Sequence, residues 1–171
     1  MTNKNKLTTE PTIYVTYIAT TAEKCWAALT QSEFSKQYFF GQIVEGDWRA
    51  GGKIRYRMPD GSEHIEGEIL NFDPPRHLRF TWRIVSMAGL KHLPDAIVSY
   101  RIEDAGEGVI RLTMLEEHPT PIDERLLGGG RSGWPAILSG LKSLLETGAV
   151  PKIAPPTPPQ EMLDYMKEHG A

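Results

Sequence analysis

The side chains that could do acid–base chemistry in this sequence are few and scattered. His118 follows Glu116 and Glu117 at the end of an apolar-alternating segment. An imidazole and a carboxylate so placed can pass a proton to or from a bound molecule if they face a cavity. His64, His77 and His92 stand apart, and no two histidines have the i, i+4 spacing that sets metal ligands on one helix face. These residues therefore ask for no metal, and no other cofactor motif is present. Cys25 is the single cysteine, so no internal disulfide can form. With no histidine beside it, it reads as a small buried hydrophobe. Gly128-Gly129-Gly130-Arg131-Ser132 stands before a helical pattern, where backbone N–H groups can gather an anion. It lacks the lysine and the preceding strand of a phosphate loop, so a flexible hinge is expected instead. None of these groups is assigned a catalytic role.

Charge narrows the partners. The net charge is −3 and the isoelectric point near 6.0, which leaves no broad basic surface for nucleic acid. Arg55, Arg57, Arg79 and Arg83 alternate on strand-like segments, but Glu63, Glu66 and Glu68 lie close enough to neutralise them. No apolar run approaches the roughly 20 residues that span a bilayer. Residues 1–11 are polar and lack the apolar core of a secretion signal. A cytoplasmic protein without membrane or nucleic-acid partners is the expectation.

The elements that must position these groups follow from periodicity. Residues 1–11 read as a flexible leader. Ile13, Val15 and Tyr17 alternate with their neighbours as a strand, and Thr20 with Glu23 has capping-box spacing for a short helix. A second short helix, capped near Ser32, carries Phe34 and Tyr38. From Ile43 the pattern is of strands. Ile54, Tyr56 and Met58 form one inward face, and Asp60-Gly61 a hairpin turn. Ile65, Gly67 and Ile69 return on the next strand, before Pro74-Pro75 breaks the ladder. Leu78, Phe80, Trp82 and Ile84 alternate next, and two further strands fit residues 96–103 and 109–116. Strands run in succession, about six or seven of them, with helices near the two ends, which argues α+β with a meander sheet. Trp134, Ile137, Leu138, Leu141, Leu144 and Leu145 mark one stripe of a long helix. That helix is expected to start at Ser132, with Pro135 in its first turn and Gly148 as terminator. Residues 149–171 then form a proline-rich strap and a short final helix with Met162 and Met166 buried.

Several of these pieces together carry a resemblance. They are Ala22-Glu23-Lys24-Cys25-Trp26-Ala27-Ala28-Leu29-Thr30 and Gly51-Gly52-Lys53-Ile54, then Asp60-Gly61 and Gly67. Pro74-Pro75-Arg76-His77-Leu78-Arg79-Phe80-Thr81-Trp82 and Ser132-Gly133-Trp134-Pro135 complete the set. In this order they resemble the START-like superfamily (SRPBCC, helix-grip proteins), in the branch named for activators of the 90-kDa heat-shock protein ATPase. The likeness spans residues 12–148, taken as one domain. It implies a helix-grip fold: two short helices after the first strand, and a curved antiparallel sheet wrapped around the long C-terminal helix. The branch has no shared catalytic motif to carry over.

On that fold the inward faces could surround a cavity. Its expected lining is Ile54, Tyr56, Met58, Ile65, Ile69, Leu78, Phe80 and Trp82 from the sheet, with Trp134, Leu138 and Leu141 from the helix. Met87, Leu90, Leu93 and His118 are expected at its mouth, the first three as a lid or a dimer contact. The expected role is non-catalytic binding of a small hydrophobic molecule, coupled to a stress-response or regulatory protein partner. A cyclase- or dehydratase-like enzyme using the same cavity, and a chaperone ATPase co-regulator, are the alternatives. The chain is expected to be a monomer or a homodimer.

Overall fold

Apolar–polar alternation builds a curved antiparallel sheet of seven strands, ordered β2-β8-β7-β6-β5-β4-β3. In chain order these are β2 (Thr12–Ile18), β3 (Ile43–Gly46), β4 (Lys53–Arg57), β5 (Glu63–Asp73), β6 (His77–Ile84), β7 (Ala96–Gly106) and β8 (Val109–Glu117). The computed structural model describes residues 6–170. Strands β3 to β8 form a meander, and β2 returns to pair with β8 at the far edge. Even-numbered residues of β8 are buried and odd ones half-buried, the two-residue period of a sheet with one core face.

Two close approaches shape the sheet. A Cβ on Gly67 would lie 1.8 Å from the Thr81 carbonyl oxygen, so only glycine lets β6 close over β5 here. The β5–β6 register shifts just beyond, between Ile69 and Asn71. Gly61 turns the β4–β5 hairpin with φ 86. The outer face is laced with ion pairs: Arg57–Glu45 at 2.8 Å, Arg83–Asp95 at 2.7 Å and Arg79–Glu117 at 3.4 Å. The arginine stripe is thus tied to acids strand by strand.

Helices α1 (Ala22–Thr30) and α2 (Ser32–Tyr38) follow β2. The cap of α1 is Thr21 rather than Thr20: its extended backbone lets Oγ1 accept from Lys24 N at 3.2 Å. Position 31 is the cap of α2 and makes no side-chain bond; Ser32 is already inside the helix. Ser35, fully buried, does the local fastening. Its Oγ donates to Gln42 O and accepts from Val44 N, at 3.0 and 2.9 Å, which fixes the turn from α2 into β3. Phe40 in that turn has φ 51, a conformation non-glycine residues rarely hold.

The long helix α3 (Leu127–Thr147) crosses the concave face. It buries Trp134, Ile137, Leu138, Leu141 and Leu144 and ends at Gly148 with φ 77. Its start corrects the sequence reading. The triglycine is the first turn of the helix and not a hinge, and Pro135 lies in the interior. Three helical glycines cost about 1 kcal/mol each against alanine. Packing overrides that preference, because α3 meets its neighbours there at backbone distance. Cβ atoms on Gly128, Gly129 and Gly130 would lie 2.6 Å from Pro159, 2.7 Å from Met162 and 2.7 Å from Glu116.

The first strand and the final helix both pack on the body. Within the expected leader, β1 (Leu7–Thr8) pairs with β9 (Ile122–Asp123), so that part is a strand; Met1 to Asn5 lie outside the described residues. A 3-10 turn (Glu124–Leu126) leads from β9 into α3. Beyond the strap, α4 (Gln160–Gly170) buries Met162 and Tyr165, while Met166 is half-buried. These two residues complete a second hydrophobic core with Leu90, Ile122, Leu126 and Leu127.

Candidate ligand cleft

The main core between sheet and α3 is filled over most of its length. Ile54, Tyr56, Ile65, Ile69, Leu78, Phe80, Leu138 and Leu141 are all at most 2% exposed and pack in one cluster. Aromatic rings occupy the remaining width: Phe39 lies 4.8 Å from Tyr56, and Trp82 lies 5.4 Å from Trp134, centroid to centroid. Burial pushes the phenols of Tyr56 and Tyr100 well up, so both stay neutral within this cluster. Open space begins where the cluster ends, at Trp82 and Trp134.

Two adjoining hollows share Trp82, Ile84, Glu116, Gly129 and Gly130. The larger, about 370 Å³, is walled by Phe39, Phe40, Gln42, Met58, Met87 and Trp134, with Pro155 and Pro156 of the strap at its edge. The smaller, about 120 Å³, runs under α4 between Leu90, Leu93, His118, Ile122 and Met162. Of the residues expected to line a cavity, Met58, Trp82 and Trp134 do so here. Tyr56, Ile65, Ile69, Leu78, Phe80, Leu138 and Leu141 line neither hollow; they lie buried in the main core cluster. Ile54 borders a different, charged groove about 360 Å³ in size, together with Arg55, Glu66 and Arg83.

The expected mouth is divided differently. Met87 is 37% exposed at the rim of the larger hollow. Leu90 is a core residue at 2% exposure, because α4 covers its loop: a Cβ on Gly89 would lie 2.7 Å from Met166 O. Arg125 holds α4 down, donating to Asp123 and to Glu168 at 2.9 and 3.1 Å and lying over the Tyr165 ring. Those hydrogen bonds hold the Asp123 and Glu168 carboxyls below their ordinary range. His118 sits inside the cleft, and Glu116 joins it there.

Glu116 is buried at 9% exposure, and its position is set by strand parity. Ile110, Leu112 and Met114 alternate inward along β8, and Glu116 continues the same row. Its Oε2 accepts from Trp134 Nε1 at 2.9 Å. Its Oε1 faces Gly130 and lies 3.5 Å from His118 Nε2. That separation is long for a hydrogen bond, and among the described residues the buried Nε2 has no hydrogen-bond partner. Gln42 Oε1, at the larger hollow, is likewise buried without a donor. Burial holds His64, on the same wall, below the ordinary histidine value. Among the described residues no group of His, Cys, Asp or Glu could hold a metal ion, and no helix is long and apolar enough to cross a membrane.

Glu116 was in view in the sequence only as a neighbour of His118. The signal that places it inside the cleft is an acid on the apolar register of β8. Gln42, Pro155 and Pro156 give no such sign, since a loop and the strap bring them in, and Met162 arrives on α4.

A curved antiparallel sheet gripping one long helix, with two short helices after β2, defines an α+β protein of the helix-grip class. The chain belongs to the family described as activator of Hsp90 ATPase homolog 1-like protein, whose family model matches residues 19–146. Strap and α4 lie outside that span. No curated protein matches the chain in sequence. Among solved structures it is similar to CalU16 from Micromonospora echinospora, at 21% identity and TM-score 0.67, over 99% of this chain and 94% of that one. It is also similar to the Aha1 dimer from Colwellia psychrerythraea, at 17% identity and TM-score 0.64, over 81% and 98% of the two chains. An Hsp90 activator from Plasmodium falciparum matches at 17% identity and TM-score 0.59, over 72% and 86%. At such identities the likeness is one of fold.

Proposed function

We propose that this protein binds a small hydrophobic molecule in the cleft between Trp82 on the sheet and Trp134 on α3. The carrying observation is the larger hollow, about 370 Å³, apolar along most of its wall and interrupted by Gln42, His64 and Glu116. Small-molecule sites commonly have this make-up, a mostly apolar concavity of roughly 300–1,000 Å³ with a few placed polar groups. Gln42 Oε1 and His118 Nε2 are buried without partners, a state that costs about 1–3 kcal/mol per group and that a bound molecule can relieve.

Two tryptophans on the wall give the test its signal. Lipids, aromatic polyketides and flavonoids are screened by thermal shift, with tryptophan emission recorded in parallel. At least one class raises Tm, because a ligand held by the native state stabilises it by mass action. Unchanged Tm and unchanged emission across all three classes sink the reading.

A second reading has one observation behind it. Glu116 and His118 face the same hollow, as an acid–base pair in a cyclase- or dehydratase-like enzyme would. A bound compound recovered chemically altered, with the loss abolished in Glu116→Gln, favours it over binding alone. Co-regulation of a chaperone ATPase rests on the family description and on the names of two similar proteins, and nothing in the cleft adds to it; it ranks third.

A further inference from the structure

We infer that Glu116 and His118 form the polar anchor of the cleft, and that the ligand it takes is an apolar hydroxy compound whose hydroxyl meets both side chains. This rests on the binding role proposed above and names its ligand class.

Each partner of the pair is incomplete in a complementary way. A carboxylate can accept about four hydrogen bonds. Glu116 is buried, and Trp134 Nε1 at 2.9 Å is the donor it has, on Oε2. Oε1 is kept open by the glycine opposite, since a Cβ on Gly130 would lie 2.7 Å from it. His118 is also nine-tenths buried, with its side chain 9% exposed. Its Nε2 has no hydrogen-bond partner, although Glu116 Oε1 is only 3.5 Å away. Both side chains line the smaller hollow, whose other walls include Ile84, Leu90, Leu93 and Met162. Among the described residues, a buried ring nitrogen without a hydrogen bond thus stands beside a carboxylate oxygen with room to accept one, at the end of a mostly apolar passage.

A hydroxyl suits this pair better than other head groups. It donates to Glu116 Oε1 and has lone pairs for His118 if Nε2 carries the proton. If Nε2 is bare, the O–H still donates to the carboxylate, and the hydroxyl stays neutral. A second carboxylate would face Glu116 with like charge. An ammonium would have to leave water for a cleft with apolar walls, at a cost that one carboxylate repays only with excellent geometry. The aromatic or aliphatic body then extends toward Trp82 and Trp134, past the shared residues Gly129 and Gly130.

The experiment compares three probes on the full chain by calorimetric titration: 2-naphthol, 2-methoxynaphthalene and 2-(aminomethyl)naphthalene. The first donates a hydrogen bond, the second cannot, and the third brings a cation. Expected is 2-naphthol binding at least about tenfold more tightly than the methoxy compound, the range for a hydrogen bond to a charged group. Glu116→Gln, which can still accept from Trp134, and separately His118→Phe, should each erase most of that ratio. Equal affinity for naphthol and its ether overturns the anchor but leaves the cleft. Tighter binding of the amine also overturns it, in favour of a cation site. Binding of none of the three overturns the anchor and the proposed cleft together. The ratio in the unaltered protein decides the matter even if a variant fails to fold.

Discussion

The molecule has two hydrophobic cores, and the contrast between them explains where its cleft lies. The main core is a closed stack between sheet and α3, built from residues such as Ile65, Phe80 and Leu141 that are wholly buried. The second is small, assembled from Leu90, Ile122, Leu126, Leu127, Met162 and Tyr165, which come from a loop, a two-residue strand, the 3-10 turn, the start of α3 and α4. Ile84 packs against both cores, and the two hollows lie along that seam. Side chains on one regular surface interdigitate; those on two surfaces joined by a strap meet only at their rims. Space is left where the cores fail to merge, and Glu116 and His118 stand at that line.

The strongest way to break the comparison is to remove the second core. Deleting residues 151–171 strips away Met162 and Tyr165, and each such burial is worth about 1.5–3 kcal/mol. Urea unfolding should show a loss of roughly 3–6 kcal/mol, an upper range because denatured chains are themselves partly compact. Stability within 1 kcal/mol of the full chain, to within about the error of the extrapolation, would mean the strap and α4 merely lie on the body.

Cavity formation probes the main core. Leu141→Ala should cost about 2–5 kcal/mol, as for other buried leucines in close-packed interiors. Ile84→Ala at the seam should cost less, roughly 1 kcal/mol, since that residue already borders open space. Equal losses for the two would erase the distinction between filled and hollow ends.

Acid separates the cores by their titrating groups. Arg125 lowers Asp123 and Glu168 from ordinary values of 3.8 and 4.5, so the unfolded chain takes up their protons first as pH falls. The stability they give is full above those ordinary values and disappears as pH drops through the lowered folded ones. His64, lowered from 6.5 by burial, behaves in the same direction but earlier: its contribution is full above 6.5 and declines below it. Melting curves from pH 8 to pH 3 should therefore show a shallow decline starting near 6.5 and a steeper one below about 4. A Tm that rises on acidification to pH 5 would contradict the sign for His64.

The smallest effect expected is at Cys25, which is fully buried in the main core with its thiol pushed up to about 12. A disulfide reagent at pH 8 should leave the native protein unlabelled and react at once in guanidinium. Rapid labelling of the native state would show that the main core opens as readily as the seam.

Much of this fold was legible in the sequence. The two-residue alternation of Leu78, Phe80, Trp82 and of Ile54, Tyr56 named strands and their inward faces, and the Trp134-to-Leu145 stripe named the gripping helix. Helix starts were less legible. Thr20 and Thr21 offer the same hydroxyl, and only backbone conformation selects Thr21. Gly128 to Gly130 read as a hinge by propensity, and become helix because Pro159, Met162 and Glu116 press against them. The site was the least legible part. Periodicity states which side chains point inward, and says nothing of whether opposing side chains touch.

The sequence by itself determined the family, the order of the elements, the inward faces and, through the parity of β8, a carboxylate turned toward the interior. Those are local or periodic properties, written in which residue follows which. Tertiary structure alone decided that rings fill the space beside Tyr56 and Phe80, and that the opening lies at Trp82 and Trp134. It also decided that α4, from beyond the matched span, closes over Leu90, and that His118 comes to rest 3.5 Å from Glu116 with its Nε2 unpartnered among the described residues. Each of these depends on distances between segments far apart in the chain, and such distances are set by packing, which no local pattern encodes.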